Sequence, residues 1–555
     1  MSATGERAEP RTLPPRLEHA AGLGHGITFI GDGRAERVEW ARLHDDARAV
    51  AAALQARDVG PGTHVTLLGR TTRELVTALQ AVWLTGATVV VLPLPLRLGS
   101  LEGFVEQTGN LIRQADAGLL LVDPALASFV EPRPGDPPTV ALDLAHGRTP
   151  DAYEPPHLDP SSLAILQFTS GSTADPKGVM MPHAGVCANL DDLAHAAGLT
   201  VDDVVVSWLP MYHDMGLIGL LGTPMTLGAE VVLASPQEFL ARPGSWAGWL
   251  SEYRGTVTGG PNFGYALAAR AMARLSGLDL SSVRVEANGA EPIDLDAMER
   301  YNAAGAPFGL SPGAMLPGYG LAEATLAVTF PPQGRGIAVD VVDARALEQE
   351  GAAVPVAPDA REARRLPRLG HPLAHMAVRV VNPGTGDDLS DRMVGEIEIA
   401  GPSVTPGYYR RPDATAAAMH DGWLRTGDLG YLAGGELVVT GRIKDLIIVG
   451  GRNVYPQDVE REVAAVDGVR AGNVVAFGVA DARGHERIVV LAESRSTDPR
   501  ALRRAVADRV QAVVGLPPGD VVLLEPGALP KTSSGKLQRS LSRSLYLDSA
   551  FRPPG

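Results

Sequence analysis

Of the 49 Lys and Arg residues only four are lysines: Lys177, Lys444, Lys531 and Lys536. Arginine serves wherever a generic positive charge suffices. An ammonium is a compact point charge on a flexible stem and a guanidinium is a planar fork, so the two are not interchangeable. The four are therefore candidates for positions where arginine would not do, although codon bias with random survivors would leave the same count. All four fall in Gly/Ser-rich or hinge-like segments. The sharpest of these runs Thr169, Ser170, Gly171, Ser172, Thr173, Ala174, Asp175, Pro176, Lys177, Gly178, directly after an apolar stretch. Hydroxyls and glycine amides in a loop can wrap phosphate oxygens, and Lys177 adds charge. The spacing is not that of a Walker loop. A Ser/Thr/Gly stretch alone reads equally as a surface loop.

Four more segments carry usable chemistry. In residues 207–216, His213 and Asp214 lie in a Gly/Pro-bounded turn among apolar residues. His213 could orient or gate a carboxylate, or it could be a buried imidazole satisfied by hydrogen bonds. In Asn288, Gly289, Ala290, Glu291, Pro292 and again in residues 317–324, small residues allow close backbone approach to a flat base. There Tyr319 offers a stacking face and Glu323 a hard oxygen for Mg²⁺. In residues 423–430 and 440–445, Asp428 suits two ribose hydroxyls, because an ionised acid accepts two hydrogen bonds. Arg442 can add a charged donor. In residues 529–539 a Ser/Gly loop presents Lys536 as a mobile arm.

These segments need rigid elements behind them. Leu43, Ala47, Val50 and Leu54 share a helical face, residues 64–69 read as a buried strand, residues 71–85 as a helix and residues 88–92 as the next strand. Helices alternating with short apolar strands imply parallel sheet covered on both faces. The pattern returns as a strand at 164–168 and a helix at 183–197. Residues 335–372 form an insertion of weak periodicity, and alternating segments at 396–400 and 436–440 suggest antiparallel strands. A smaller α/β unit follows, with strands at 474–479 and 488–493. A chain of 555 residues exceeds one compact core. The expected division is 1–441 and 442–555.

With 45% apolar and 20% charged residues the chain has globular composition, and no run of eighteen uncharged apolar residues suggests a membrane span. The polar first fifteen residues lack a signal-peptide core, and one cysteine suits a reducing cytoplasm. A net charge of −15 argues against general nucleic-acid binding.

Taken in order, the five segments resemble the adenylate-forming superfamily of acyl-CoA synthetases, peptide-synthetase adenylation domains and luciferases. WLPMYHDMGLIG, NGAEP, YGLAEATL and GRIKDLIIVGGRNVYPQDVE resemble the fatty acyl-AMP ligases in particular. The resemblance implies an α/β fold. A large N-terminal domain of stacked α/β sheets with a small β-barrel-like part would carry a small mobile C-terminal α/β domain. It implies ATP and Mg²⁺ as cofactors, with Thr169, Ser170, Gly171, Ser172, Thr173 and Lys177 on the phosphates. Asn288, Gly289, Ala290, Glu291, Tyr319, Gly320, Leu321 and Ala322 would line the adenine. Glu323 and Thr169 would serve the metal, Asp428 and Arg442 the ribose, and Lys444 would be the hinge. Lys536 and His213 would be catalytic. The implied reaction activates a fatty acid as acyl-AMP. The acyl group then passes to the phosphopantetheine of an acyl carrier protein or a polyketide or peptide synthetase carrier domain. The alternative acceptor is CoA, since Gly450 and Val454 stand where that subgroup often has arginine and histidine. Arg500, Arg503, Arg504, Arg539 and Arg543 could form a carrier-docking patch or merely a solvated face.

Overall fold

Strands buried on both faces need continuous apolar runs, and this chain supplies them twice. A computed structural model describes residues 10–94, 101–131, 133–143, 149–169, 176–449, 452–481, 485–532 and 536–551. One sheet has six strands in the order Thr139–Ala141, Leu119–Val122, His64–Leu68, Thr88–Val91, Leu163–Phe168 and Gly178–Pro182. All pairs but the last are parallel. The second has seven, in the order Met315–Pro317, Val285–Asn288, Val257–Gly260, Val204–Ser207, Glu230–Ala234, Gly26–Gly31 and Arg34–Glu39. The helices Trp40–Gln55 and Arg73–Leu84 pack against each other, the second also against the strand Thr88–Val91 of the first sheet, and Leu43, Ala47, Val50 and Leu54 are all buried.

Smaller antiparallel sheets follow, built from Tyr319–Gly320, Ala327–Phe330 and His371–Pro372, and from Ala377–Val381, Gly395–Ala400, Met419–His420, Trp423–Ala433 and Glu436–Arg442. The last unit has its own core. Val459, Val463, Val474, Val490, Val506 and Val510 form a cluster separate from the main one.

Residues 335–372 are more ordered than their weak periodicity suggests. Val339–Asp343 and Ala363–Pro367 pair as an antiparallel ribbon, with the helix Ala344–Glu350 between them. The ribbon is too short to show a period, but it buries Val342, Leu347 and Leu366 with Tyr431, Val438 and Tyr455. It also grips the last unit through charge. Arg364 reaches Asp458 at 2.9 Å and lies over the Tyr455 ring at 4.2 Å, and Arg452 pairs with Glu348.

The strand Val285–Asn288 carries an acid into an aromatic interior. Glu286 is fully buried and accepts the Tyr301 hydroxyl at 2.6 Å, near Tyr265 and Trp246. Burial raises its carboxyl to about 7. The folded state therefore holds this proton more tightly than the unfolded chain, and its contribution, complete below about pH 4.5, is lost as pH rises through 7. Glu286→Gln does not titrate. It should match the parent in acid and exceed it in stability by up to about 3 kcal/mol above pH 7, measured by urea unfolding across that range.

Candidate active site

Backbone approach, not side-chain bulk, shapes one wall of the cleft. The strand Val285–Asn288 ends in a turn where Ala290 takes φ +67°, a left-handed conformation uncommon for a non-glycine residue. The Gly318 amide donates to the Asn288 carbonyl at 2.9 Å, and a Cβ on Gly289 would stand 3.0 Å from the Gly318 carbonyl oxygen. A Cβ on Gly320 would fall 1.9 Å from the Leu326 carbonyl oxygen, so only glycine fits there. The Asn288 amide donates to the Gly260 carbonyl, and its Oδ1 is buried with no hydrogen-bond partner among the described residues. Leu321 and Ala322 continue this wall, and Ala322 opens the single helical turn Ala322–Ala324 that carries Glu323.

Adjoining it at Tyr319, the pairing of Trp423–Ala433 with Glu436–Arg442 puts Asp428 directly across from Arg442. Asp428 is 5% exposed. One carboxylate oxygen meets Arg442 Nε at 2.8 Å and the other accepts the Tyr319 hydroxyl at 2.7 Å. The Asp428 charge raises the Arg442 pKa, so this guanidinium stays charged. Lys444 follows in the turn Ile443–Asp445. Burial, then Arg442, lowers its pKa.

The turn that carries Glu323 ends under strain. Thr325, buried and β-branched, has φ +70° and ψ −56°, with the Leu326 amide closing onto the Ala324 carbonyl at 2.8 Å. This is a tight γ-turn with a left-handed corner, a rare and costly conformation. The Thr325 hydroxyl holds it by donating to the Ser403 carbonyl at 2.8 Å. Glu323 Oε1 accepts the Tyr408 hydroxyl, and Lys177 lies over the Tyr408 ring. Tyr408 stands in none of the five segments, and its nearest sequence signal is the flanking Gly407 and Tyr409. Thr169 pairs by backbone with Lys177 at 3.0 Å. Ser170, Gly171, Ser172 and Thr173, as well as Gly450, lie outside the described residues.

Lys536 reaches this wall from the last unit. Its ammonium donates to the Ala290 carbonyl at 2.7 Å. The Thr532 amide donates to the Lys536 carbonyl at 2.8 Å, and the Lys536 amide to the Thr532 hydroxyl at 3.1 Å. Burial lowers the Lys536 pKa, and Glu291 and Asp214 oppose that shift. Burial, then the Lys536 charge, pushes His213 down to about 3, and its Nε2 is buried without a partner among the described residues. His213 is therefore a neutral imidazole at any ordinary pH. Asp214, raised by burial, caps the π-helix Met215–Gly222 through the Met215 amide. Glu291, raised by burial, accepts the Asn262 amide at 2.8 Å.

One expectation needs correction. Arg539 does not join a surface patch, because it pairs with Glu460 and Asp445, whereas Arg543 stays exposed with its Nε donating to the Gly478 carbonyl. Arg500, Arg503 and Arg504 remain exposed on the helix Pro499–Val514. Val454, which departs from the subgroup's pattern, is buried in the core of the last unit.

The residues present fit a metal of one kind. Among the described residues no cluster of three or more His, Cys, Asp or Glu side chains could hold an ion. Glu323 supplies a hard carboxylate, and Tyr408 contacts both it and Lys177. That donor set suits Mg²⁺, which keeps several waters and binds through one or two carboxylates plus substrate phosphates.

The family profile described as AMP-binding enzyme matches residues 17–409. A protein of Caulobacter vibrioides named as an acyl-CoA synthetase is 36% identical over 556 residues, covering 97% of this chain and 96% of its own. A medium-chain-fatty-acid–acyl-carrier-protein ligase of Moorena producens, JamA, is 34% identical, covering 96% and 93%. A solved chain from structural work on fatty acyl-adenylate ligases of E. coli and L. pneumophila superposes with TM-score 0.90 at 32% identity, covering 98% of this chain and 99% of that one.

Proposed function

Because the chain belongs to the AMP-binding enzyme family, we propose that it activates a fatty acid with ATP as the acyl-AMP, releasing pyrophosphate, and passes the acyl group to a carrier-protein thiol. The observation that carries the reading is the Lys536 ammonium, held at the Ala290 carbonyl within electrostatic reach of Asp214, Glu291 and His213.

The acid's carboxylate attacks the α-phosphorus and pyrophosphate leaves from the opposite side. Little covalent work falls to the protein, so positioning and charge neutralisation must supply the rate. Asp428 accepts the ribose hydroxyls, with Arg442 and Tyr319 holding its two oxygens in place. The wall 288–291 and 319–322 takes the adenine. Thr169–Thr173 and Lys177 take the phosphates. Neutral His213 orients the carboxylate without adding charge. Lys536 bridges the carboxylate and the α-phosphate, where two anions would otherwise repel. Glu323, with Thr169, would hold Mg²⁺, which neutralises charge on the leaving pyrophosphate.

We place the joint between the two units, 1–441 and 442–555, at Arg442–Lys444, with Lys444 as hinge. Separate hydrophobic cores support that division. Rotation there withdraws Lys536 and admits the thiol. The exposed arginines Arg500, Arg503 and Arg504 suit an acidic carrier. Among the described residues no helix is long and apolar enough to cross a membrane, and a single buried cysteine, Cys187, fits a cytoplasmic setting.

A second reading, transfer to CoA, is favoured by the Caulobacter relative's name. The test supplies ATP, a mixed acid pool and either CoA or holo carrier protein, and identifies adenylates and thioesters by mass spectrometry. Fatty acyl-AMP followed by acylated carrier supports the first reading. Acyl-CoA alone replaces it with the second, and no adenylate from any acid overturns both.

A further inference from the structure

Tyr408 stands between two charges that the proposed reaction needs and takes no part in that reaction as described. Its hydroxyl donates to Glu323 Oε1 at 2.9 Å, and its ring centroid lies 4.7 Å from Lys177 Nζ. A carboxylate only accepts hydrogen bonds, so in this pair the phenol hydroxyl is the donor.

The backbone around Tyr408 is fixed from several sides. Tyr408 bridges to Val179, and the Met180 amide donates to the Gly407 carbonyl at 3.2 Å. The Tyr409 amide donates to the Gly178 carbonyl at 2.8 Å, and the Tyr408 amide to the Thr415 hydroxyl at 2.9 Å. The Thr405 amide donates to the Glu323 carbonyl at 2.7 Å, and the Thr405 hydroxyl to the Met180 carbonyl at 2.7 Å. One short arch thus staples the strand leaving the candidate phosphate loop to the strained turn bearing Glu323. Gly407, at φ +144°, passes so close to Thr415 that a Cβ would stand 2.5 Å from Thr415 Cγ2. The arch has little freedom to shift.

The consequences for the two charges differ. A carboxylate held at Oε1 by a neutral donor keeps Oε2 for a cation, and its rotamer is set in advance. A lysine ammonium has four rotatable stem bonds, and an aromatic face beneath it restricts where the charge sits. Resting on the function proposed above, we propose that Tyr408 is a positioning residue that orients the Glu323 carboxylate through its hydroxyl and the Lys177 ammonium through its ring.

The test separates the hydroxyl from the ring and needs no turnover. ATP affinity is measured by calorimetry without the acid substrate, once with Mg²⁺ and once with EDTA, for the parent, Tyr408→Phe, Tyr408→Leu and Glu323→Gln. The quantity read is the factor by which Mg²⁺ tightens ATP binding. Tyr408→Phe keeps the ring and should cut that factor by roughly tenfold, leaving affinity in EDTA unchanged. Tyr408→Leu should also weaken binding in EDTA, because Lys177 loses its support. A purely structural tyrosine would change both conditions equally or neither. A Mg²⁺ factor lost in Glu323→Gln but kept in Tyr408→Phe overturns the hydroxyl role alone. A factor kept in both overturns the metal assignment of Glu323 and the proposal with it. Equal affinities in EDTA for Tyr408→Phe and Tyr408→Leu overturn the role of the ring.

Discussion

Exchanging Lys536 for alanine should slow adenylate formation by about 10²–10³, roughly 2.7–4 kcal/mol, while ATP binds as before. The magnitude follows from where the ammonium sits. It enters the cleft from the last unit, partly desolvated, with acids on two sides. A preorganised charge in such a place acts on charge that accumulates only as the acid meets the α-phosphate, so its loss falls on the rate and not on nucleotide affinity. Pyrophosphate exchange with acid present, set against ATP titration with acid absent, checks the split. Lys536→Arg should not rescue exchange, because a planar fork cannot replace a point charge bonded to a single carbonyl. The lowered pKa adds a second readout. The charged form is the active one, so the parent's rate should fall with rising pH at a value below the usual lysine 10.5. That alkaline limb should vanish in the alanine variant. Normal exchange by Lys536→Ala would remove the proposed mechanism.

The sequence made the frame legible because its strands carry continuous apolar runs. The strand at 64–68, the helix at 73–84 and the helix at 183–196 lie within one or two residues of where periodicity put them. The ribbon at 339–367 escaped because ten paired residues and a seven-residue helix are too short to show a period. At the site, lysine scarcity led to Lys536 and Lys177, and charge type led to Asp428 and Glu323. What composition could not carry is through-space pairing. Nothing in spacing says that Tyr408 lies between Glu323 and Lys177, or that Thr325 pays in strain for the position of Glu323. The arginine group lost one member for the same reason. Arg539 is close in sequence to Arg543, yet its partners are Glu460 and Asp445.

Asp428→Asn should raise the KM for ATP by roughly a hundredfold, with a smaller fall in kcat at saturating nucleotide. Hydrogen bonds to a charged acceptor contribute about 1.5–3 kcal/mol each, and the ribose offers two hydroxyls. Asparagine keeps a carbonyl for the Tyr319 hydroxyl but gives up the charge that Arg442 faces at 2.8 Å. The loss is then one of uniform binding, felt in the ground state and the transition state alike, which places it in KM. Asp428→Ala should do worse. It strands a tyrosine hydroxyl that is 8% exposed as a residue and so adds about 1–3 kcal/mol of lost stability, visible in urea unfolding. Nucleotide choice isolates the ribose contact from general damage. If Asp428 grips the hydroxyls, the parent should prefer ATP over 2′-deoxy-ATP and Asp428→Asn should lose most of that preference. Equal penalties for the two nucleotides in the variant would instead make Asp428 a structural anchor for Arg442 and Tyr319, and the ribose would have to be held elsewhere along the cleft.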